Sequence, residues 1–196
     1  MLDFLTSAGA NPVEMDTDGI YFQAPRGKTK EELSAALAKC LPPGIEVDFD
    51  EEYRAMFAYK AKNYALLREN GEITLSGAAL KSRGLEGFQR DYIRATIRAL
   101  LLNDPEGFRA MDRETEEALQ NHLYPFSKLA KSENLSDSPA TYSKKLADGS
   151  GRRSAAYELA IASGKDYRQG DQISFYITGT KKKVSVVENS KLLSDA

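Results

Sequence analysis

Two aspartates, Asp16 and Asp18, are separated by a single residue and stand between two apolar, strand-like segments. Residues 12–15 precede them and residues 20–22 follow them, a pattern that predicts a β-hairpin. Two carboxylates at a hairpin tip repel each other unless a cation lies between them. Mg²⁺ prefers such hard oxygen ligands and leaves room for waters and phosphates. The pair therefore points to magnesium-dependent nucleotide chemistry, although solvated turns also carry paired aspartates.

Lysines, arginines and a tyrosine supply the complementary chemistry. Lys62 and Tyr64 alternate on a predicted strand, where one face could meet a phosphate or a minor-groove base edge. Lys81 and Arg83 lie near the start of a predicted helix, whose backbone N–H groups also favour phosphate. Arg152 and Arg153, after a Gly-Ser-Gly sequence, open a later predicted helix and are further candidates for phosphate contacts. Lys and Tyr alternate in many ordinary strands, so each motif alone is weak evidence for phosphate binding.

The composition is that of an ordinary soluble protein with one large or two small domains. Among 196 residues, 41% are hydrophobic and 29% are charged. The single cysteine, Cys40, excludes an intramolecular disulfide, and the sole histidine, His122, argues against a histidine-based metal site or a Ser-His-Asp triad. Neither a signal peptide nor an apolar run of membrane-spanning length is recognisable. We expect a cytoplasmic protein without a membrane partner.

The charge divides unevenly along the chain. Residues 1–127 carry 15 Lys and Arg against 21 Asp and Glu, whereas residues 128–196 carry 12 against 8. The acidic N-terminal part could bind metal, and the basic C-terminal part could contact successive phosphates of a nucleic acid. Differences of this size are also common in solvated surfaces, and the counts do not separate the two interpretations.

The hydrophobic pattern predicts an α+β protein with a boundary near residue 80. In the first part we predict the end of a helix at residues 2–8, a helix after Thr29 and strands at 45–49, 53–59, 64–68 and 72–75. The Asn70-Gly71 pair predicts a tight hairpin turn between the last two strands. In the second part we predict helices at 85–102, 106–123, around Tyr142 and at 154–162, a polar loop at 132–138, and a terminal strand pair at 173–177 and 184–188.

Three segments resemble motifs of the family B DNA polymerases, in the family's order. Glu14 to Gly19 resembles motif C, usually Tyr-Gly-Asp-Thr-Asp-Ser, with the Asp-Thr-Asp core preserved and flanks similar to a divergent, bacterial-type branch. Lys60 to Ala65 resembles the Lys-Lys-Arg-Tyr element that holds the primer–template duplex, and Lys81 to Asp91 resembles the passage from palm to thumb. Gly170 to Ile177 is similar to the thumb strand Gly-Asp-x-Ile-x-Tyr-x-Ile.

The resemblance implies a role for each candidate residue. It implies that Asp18 binds the catalytic metals directly and that Asp16 supports it. Glu14 stands where the family has tyrosine and adds negative charge beside the pair. It also implies a duplex-holding surface formed by Lys62, Tyr64, Lys81, Arg83, Arg152 and Arg153.

The same resemblance implies a fold class and domains. We expect a partial polymerase palm at residues 1–80, made of antiparallel strands with the motif C hairpin and one helix. A mostly helical thumb follows at residues 81–196.

Parts of a complete polymerase have no counterpart in the sequence. The motif A aspartate, the fingers and the proofreading exonuclease do not fit in the 15 residues before Asp16. A two-metal Mg²⁺ site would need that missing aspartate. We therefore expect no DNA synthesis by this chain alone, and a partner, an N-terminal polymerase portion or subunit, that completes the site for dNTP. An uncovered palm edge would favour self-association.

Two alternatives remain open from the residues. One is a DNA-binding module that uses the thumb surface without catalysis. The other is a magnesium-dependent nuclease built on the Asp pair, which would need further acidic ligands from Asp48, Asp50, Glu51 or Glu52.

Overall fold

The computed structural model describes residues 1–16, 19–77, 84–179 and 185–196. The predictions for Asp18, Lys81 and Arg83 therefore fall outside the described residues. The chain forms two compact units, one of residues 1–80 with 100–103 and one of residues 81–99 with 104–196.

The first unit begins with two helices that flank a hairpin. Their bounds are α1 Leu2–Ser7, β1 Asn11–Met15, β2 Ile20–Gln23 and α2 Lys30–Ala38. The predicted start of α2 is confirmed: the Thr29 hydroxyl accepts from the Glu32 amide, and the Glu32 carboxylate accepts from the Thr29 amide. Leu5, Ala10 and Leu37 are buried together, and the partly buried side chains that pack against them are Phe4, Ile20, Phe22 and Phe49.

A three-stranded antiparallel sheet completes the first unit. Its strands, in spatial order, are β3 Ala55–Lys60, β4 Asn63–Leu67 and β5 Ile73–Ser76. The central strand β4 buries Ala65, Leu66 and Leu67, so both of its faces are covered. The predicted Asn70-Gly71 turn joins β4 and β5, with Gly71 at a φ of +82° that favours glycine.

The predicted strand at residues 45–49 is wrong. Residues 45–50 adopt no regular secondary structure. The alternation of apolar and acidic residues that predicted a strand instead directs Phe49 against Phe22, with ring centroids 6.0 Å apart. The Phe49 carbonyl accepts from the Lys30 ammonium at 2.6 Å, a hydrogen bond that a sheet ladder would otherwise supply.

The second unit combines helices with a second antiparallel sheet. Its elements are α3 Gly87–Leu102 up to residue 99, α4 Pro105–Gln120, α5 Phe126–Leu129, β6 Lys131–Asn134, α6 Pro139–Ala147, α7 Ala155–Ala162, β7 Gln172–Ile177, α8 Val186–Asn189, β8 Ser190–Leu192 and a 3-10 turn at Leu193–Asp195. The strand order is β6-β7-β8. The core lies between this sheet and α6 and α7, where Phe175, Leu135 and Ile173 are almost fully buried.

Two predictions in this unit are wrong. Residues 132–134 of the predicted loop belong to strand β6. Backbone pairing with β7 holds them in a strand, although their polar sequence does not indicate one. Ser132 and Ser174 share a cross-strand hydrogen bond at 2.7 Å. In the predicted final strand, residues 186–189 form α8, and the strand that pairs with β7 is the later segment Ser190–Leu192.

Within the described ranges, no helix is both long enough and apolar enough to cross a membrane.

Candidate nucleic-acid interface

The β1–β2 hairpin places Asp16 at its tip, as the sequence predicts. The Asp16 amide donates to the Gly19 carbonyl at 2.9 Å, directly beyond the last strand pair, Met15 with Ile20. The Asp16 side chain is 32% exposed, so its carboxylate is partly withdrawn from solvent. Asp16 therefore directly follows the last paired residue of β1 in this hairpin.

Lys62 brings the second predicted motif to this tip. It lies in the turn between β3 and β4, and its ammonium nitrogen is 3.0 Å from Asp16 Oδ1. The Lys62 side chain is 69% exposed, which leaves the ammonium accessible from solvent. An exposed pair of this kind contributes little to stability, so its interest lies in where it places the two charges.

Glu14 lies on β1, the strand that Asp16 directly follows, and it holds the Lys62 backbone. Glu14 Oε1 accepts a hydrogen bond from the Lys62 amide at 2.9 Å. Residues 14 and 16 lie two apart near the end of β1, where side chains two apart share a face. Sequence reasoning treated Glu14 only as a departure from the family motif and missed this contact, because no local pattern connects residues 48 positions apart.

Tyr64 is packed against the hairpin by aromatic neighbours. Its hydroxyl lies 3.3 Å from the Tyr21 hydroxyl, and the two ring centroids are 5.2 Å apart. Tyr53 also lies near Tyr21, with ring centroids 6.3 Å apart. The hydrogen bond with Tyr64 raises the pKa of Tyr21 above its ordinary value, and burial adds to the effect. The Tyr64 hydroxyl is thus held beside the Tyr21 hydroxyl of the β1–β2 hairpin.

Gly77 packs closely against the turn that carries Lys62. A Cβ at Gly77 would lie 2.3 Å from the Lys62 carbonyl oxygen and 2.3 Å from Asn63 Oδ1. Gly77 also has a φ of +90°, which side chains rarely tolerate. Asn63 closes the turn internally by donating from Nδ2 to the Ala61 carbonyl at 2.9 Å. The position of Lys62 is therefore determined from several sides.

The carboxylate oxygens at the tip are the type of ligand that a hard divalent cation prefers. Asp16 presents a carboxylate, and Asp18 would add a second from outside the described residues. Within the part of the chain that the structure describes, no three His, Cys, Asp or Glu side chains form a group that could hold a metal ion. The further carboxylates that the nuclease alternative requires form no such group among the described residues, which do not include Asp18. A metal site at this tip would use Asp16 and Asp18 and need an additional ligand.

Arg152 and Arg153 differ in their surroundings in the second unit. Arg153 Nε is 3.3 Å from Glu158, and its Nη1 also pairs with Glu188. These two carboxylates raise the pKa of the Arg153 guanidinium, mainly through their hydrogen bonds. Arg152 is exposed, and no ion pair involves it among the described residues. Arg153 is therefore paired with two carboxylates of the same unit, whereas Arg152 presents its charge to solvent.

Comparison with known proteins supports the resemblance that the motifs predict. No protein-family model matches the chain. A DNA polymerase from Thermococcus kodakarensis is 27% identical over 184 residues, which are 86% of this chain and 10% of that protein. DNA polymerase 1 of Pyrococcus abyssi is 28% identical over 133 residues, 64% of this chain and 17% of its own length. A DNA polymerase from Desulfurococcus is 26% identical over 170 residues, 83% of this chain and 21% of its own.

The fold matches the same class of protein. The family B DNA polymerase of Pyrobaculum calidifontis superposes with a TM-score of 0.63 at 18% identity, over 98% of this chain and 24% of that one. The chain therefore has the fold of a portion of a family B DNA polymerase, and the predicted resemblance is confirmed. It spans between about a tenth and a fifth of the length of the curated relatives. These relatives are archaeal, and the bacterial-type branch stays a prediction.

Proposed function

We propose that this chain is the palm-and-thumb portion of a family B-like DNA polymerase. Residues 1–80 would form the C-terminal half of the palm and residues 81–196 the thumb. One observation carries the proposal: the Lys62 ammonium lies 3.0 Å from the Asp16 carboxylate, with Tyr64 on the adjoining strand. Two motifs that are far apart in the sequence thus meet at one tip, as a duplex-holding polymerase site requires.

The residues at the tip have complementary tasks in this proposal. Bound Mg²⁺ would supply Lewis-acid stabilisation of the nucleotide phosphates, with Asp16 and Asp18 as its carboxylate ligands. Lys62 offers an exposed positive charge to the phosphate of a primer terminus, and Tyr64 offers a hydroxyl to a base edge in the minor groove. In the intact enzyme these contacts would orient the primer for template-directed addition of deoxynucleotides.

The thumb would contribute sequence-independent phosphate contacts. Arg152 is exposed and suited to this task, and Lys81 and Arg83 are proposed for it from sequence. Arg153 is a weaker candidate, because a phosphate would have to compete with Glu158 and Glu188 for its guanidinium. Mutation of Arg152 should therefore weaken duplex binding more than mutation of Arg153.

The tip alone is an incomplete catalytic site. Asp16 and Asp18 supply only part of the carboxylates that a two-metal mechanism uses, and the motif A aspartate would come from an N-terminal polymerase portion or a separate subunit. We therefore propose that the chain binds a primer–template duplex but adds no deoxynucleotide without that partner. A cytoplasmic location accords with this role and remains a prediction.

Duplex binding tests the proposal directly. The wild-type chain, Lys62→Ala and Lys39→Ala are titrated against a fluorescent primer–template duplex at low salt, with fluorescence anisotropy as the readout. Lys39 is an exposed lysine after α2 and serves as a matched control for the loss of one positive charge. We expect Lys62→Ala to weaken binding about tenfold and Lys39→Ala to leave it within about twofold.

A second duplex of unrelated sequence separates phosphate contacts from base readout. We expect the same loss on both duplexes, because a lysine on phosphate carries no sequence information. Absence of duplex binding by the wild type at low salt, or equal losses for Lys62→Ala and Lys39→Ala, would contradict the proposed function.

A further inference from the structure

We propose that Glu14 is a positioning residue that fixes the backbone of Lys62 and thereby directs the Lys62 ammonium toward the hairpin tip. This inference rests on the proposed function for its effect on DNA, but its structural part stands on the contacts alone. Glu14 would touch neither DNA nor metal; it would act through Lys62.

The backbone of Lys62 needs such support. Its φ is +61°, in the left-handed region, where a residue other than glycine is disfavoured by roughly 1–2 kcal/mol. Residues persist in that region when their surroundings determine the conformation. Gly77 and Asn63 confine the turn by sterics and by a side-chain hydrogen bond. The contact from Glu14 to the Lys62 amide adds a fixed connection to a different hairpin.

The two acidic side chains near the end of β1 divide their contacts with Lys62. Glu14 Oε1 accepts from the backbone amide at 2.9 Å, and Asp16 Oδ1 lies 3.0 Å from the side-chain ammonium. A charged acceptor makes this amide hydrogen bond stronger than one between neutral groups. Because the amide is held independently of the ammonium, the ammonium can leave Asp16 for a phosphate while the Lys62 backbone stays in place.

Two substitutions distinguish the hydrogen bond from the charge. Glu14→Gln keeps a side-chain oxygen that can accept from the Lys62 amide, whereas Glu14→Ala removes the acceptor. Glu14→Ala should therefore release the turn, and Glu14→Gln should largely preserve it. A role of Glu14 as a metal ligand or a general negative charge would make both variants equally defective.

Amide hydrogen exchange followed by NMR tests the structural part without DNA. We expect Glu14→Ala to speed exchange of the Lys62 amide by about threefold to tenfold, and Glu14→Gln to stay within about threefold of the wild type. The amide of Leu66 in the central strand β4 should be unchanged in both variants and reports that the sheet remains folded. Equal exchange of the Lys62 amide in wild type and Glu14→Ala would overturn the inference.

A double-mutant cycle tests the functional part. Glu14→Ala should weaken duplex binding about threefold to tenfold in the wild-type background and should have no effect in the Lys62→Ala background. Additive losses would show that Glu14 acts independently of Lys62 and would overturn the inference. If the wild-type chain fails to bind duplex, the proposed function fails, and the exchange measurement still decides the positioning role.

Discussion

Gly77→Ala offers a stringent test of how the Lys62 turn is built. The new Cβ would lie 2.3 Å from the Lys62 carbonyl oxygen, a backbone atom that cannot rotate away. It would also lie 2.6 Å from Asn63 Cγ, at a position where φ is +90°. Ordinary van der Waals contact is far longer, so the turn must move or Gly77 must change its conformation.

The cost has two separable parts. An alanine at a positive φ is disfavoured by roughly 1–2 kcal/mol, and overpacking adds about 1–3 kcal/mol. Together they predict a loss of about 2–5 kcal/mol in the free energy of unfolding. This is a large fraction of the total for a typical domain, which is about 5–15 kcal/mol. Gly71→Ala is the matched control, because Gly71, at the other end of β5, has a φ of +82° but open space around its Cβ position. It should lose only about 1–2 kcal/mol.

Urea unfolding of both variants measures the difference. We expect a lower midpoint for Gly77→Ala than for Gly71→Ala, with unchanged slopes, since neither alters the surface exposed on unfolding. Gly77→Ala should also weaken duplex binding under conditions where the protein is folded, because the displaced turn carries Lys62. Equal midpoints for the two variants would refute the steric argument, since only the backbone cost would then be present.

Two further substitutions test the hydrogen bonds of individual tyrosines. Because the pKa of Tyr21 is raised in the folded state, its stabilising effect is complete below the unfolded value of about 10 and is lost as pH rises above it. The free energy of unfolding should therefore fall less steeply above pH of about 10 in Tyr21→Phe than in the wild type, and equal slopes would contradict this explanation. Tyr142→Phe should cost about 1–3 kcal/mol in urea unfolding, because the Tyr142 hydroxyl accepts from the Ser154 amide and donates to Glu158, both at 3.0 Å. Tyr59→Phe, at an exposed ring, is the control and should change stability by less than about 0.5 kcal/mol. A similar loss for Tyr142→Phe and Tyr59→Phe would contradict the stabilising role of the Tyr142 hydrogen bonds.

Local signals in the sequence were sufficient where the structure is local. The Asn70-Gly71 turn and the capping residue Thr29 each specify their own element, and both are found where predicted. The hairpin that carries Asp16 is likewise indicated by its flanking apolar residues. In these cases the physical cause lies within a few residues of the element it determines.

Contacts between distant residues account for the errors. Strand β6 has a polar sequence, and its order comes from pairing with β7, about forty residues away. The segment at residues 45–49 alternates like a strand, but it pairs with no strand in the described part of the chain, and its Phe49 packs on Phe22 instead.

The candidate site shows the same division between local and distant information. Asp16, Lys62 and Tyr64 were predicted from motifs, and the structure pairs Lys62 with Asp16 and Tyr64 with Tyr21 of the same hairpin. The supporting contacts from Glu14 and Gly77 to the Lys62 turn depend on tertiary structure and carry no local sequence signal.

The salt dependence of duplex binding tests the central claim most directly. The logarithm of the association constant is measured against the logarithm of salt concentration for the wild-type chain, Lys62→Ala and Lys39→Ala. If Lys62 contacts a phosphate, its removal should reduce the magnitude of the slope by about 0.9, and removal of Lys39 should leave the slope unchanged. A wild-type slope near zero, or the same slope with and without Lys62, would contradict the assignment of this tip to a polymerase duplex-binding site.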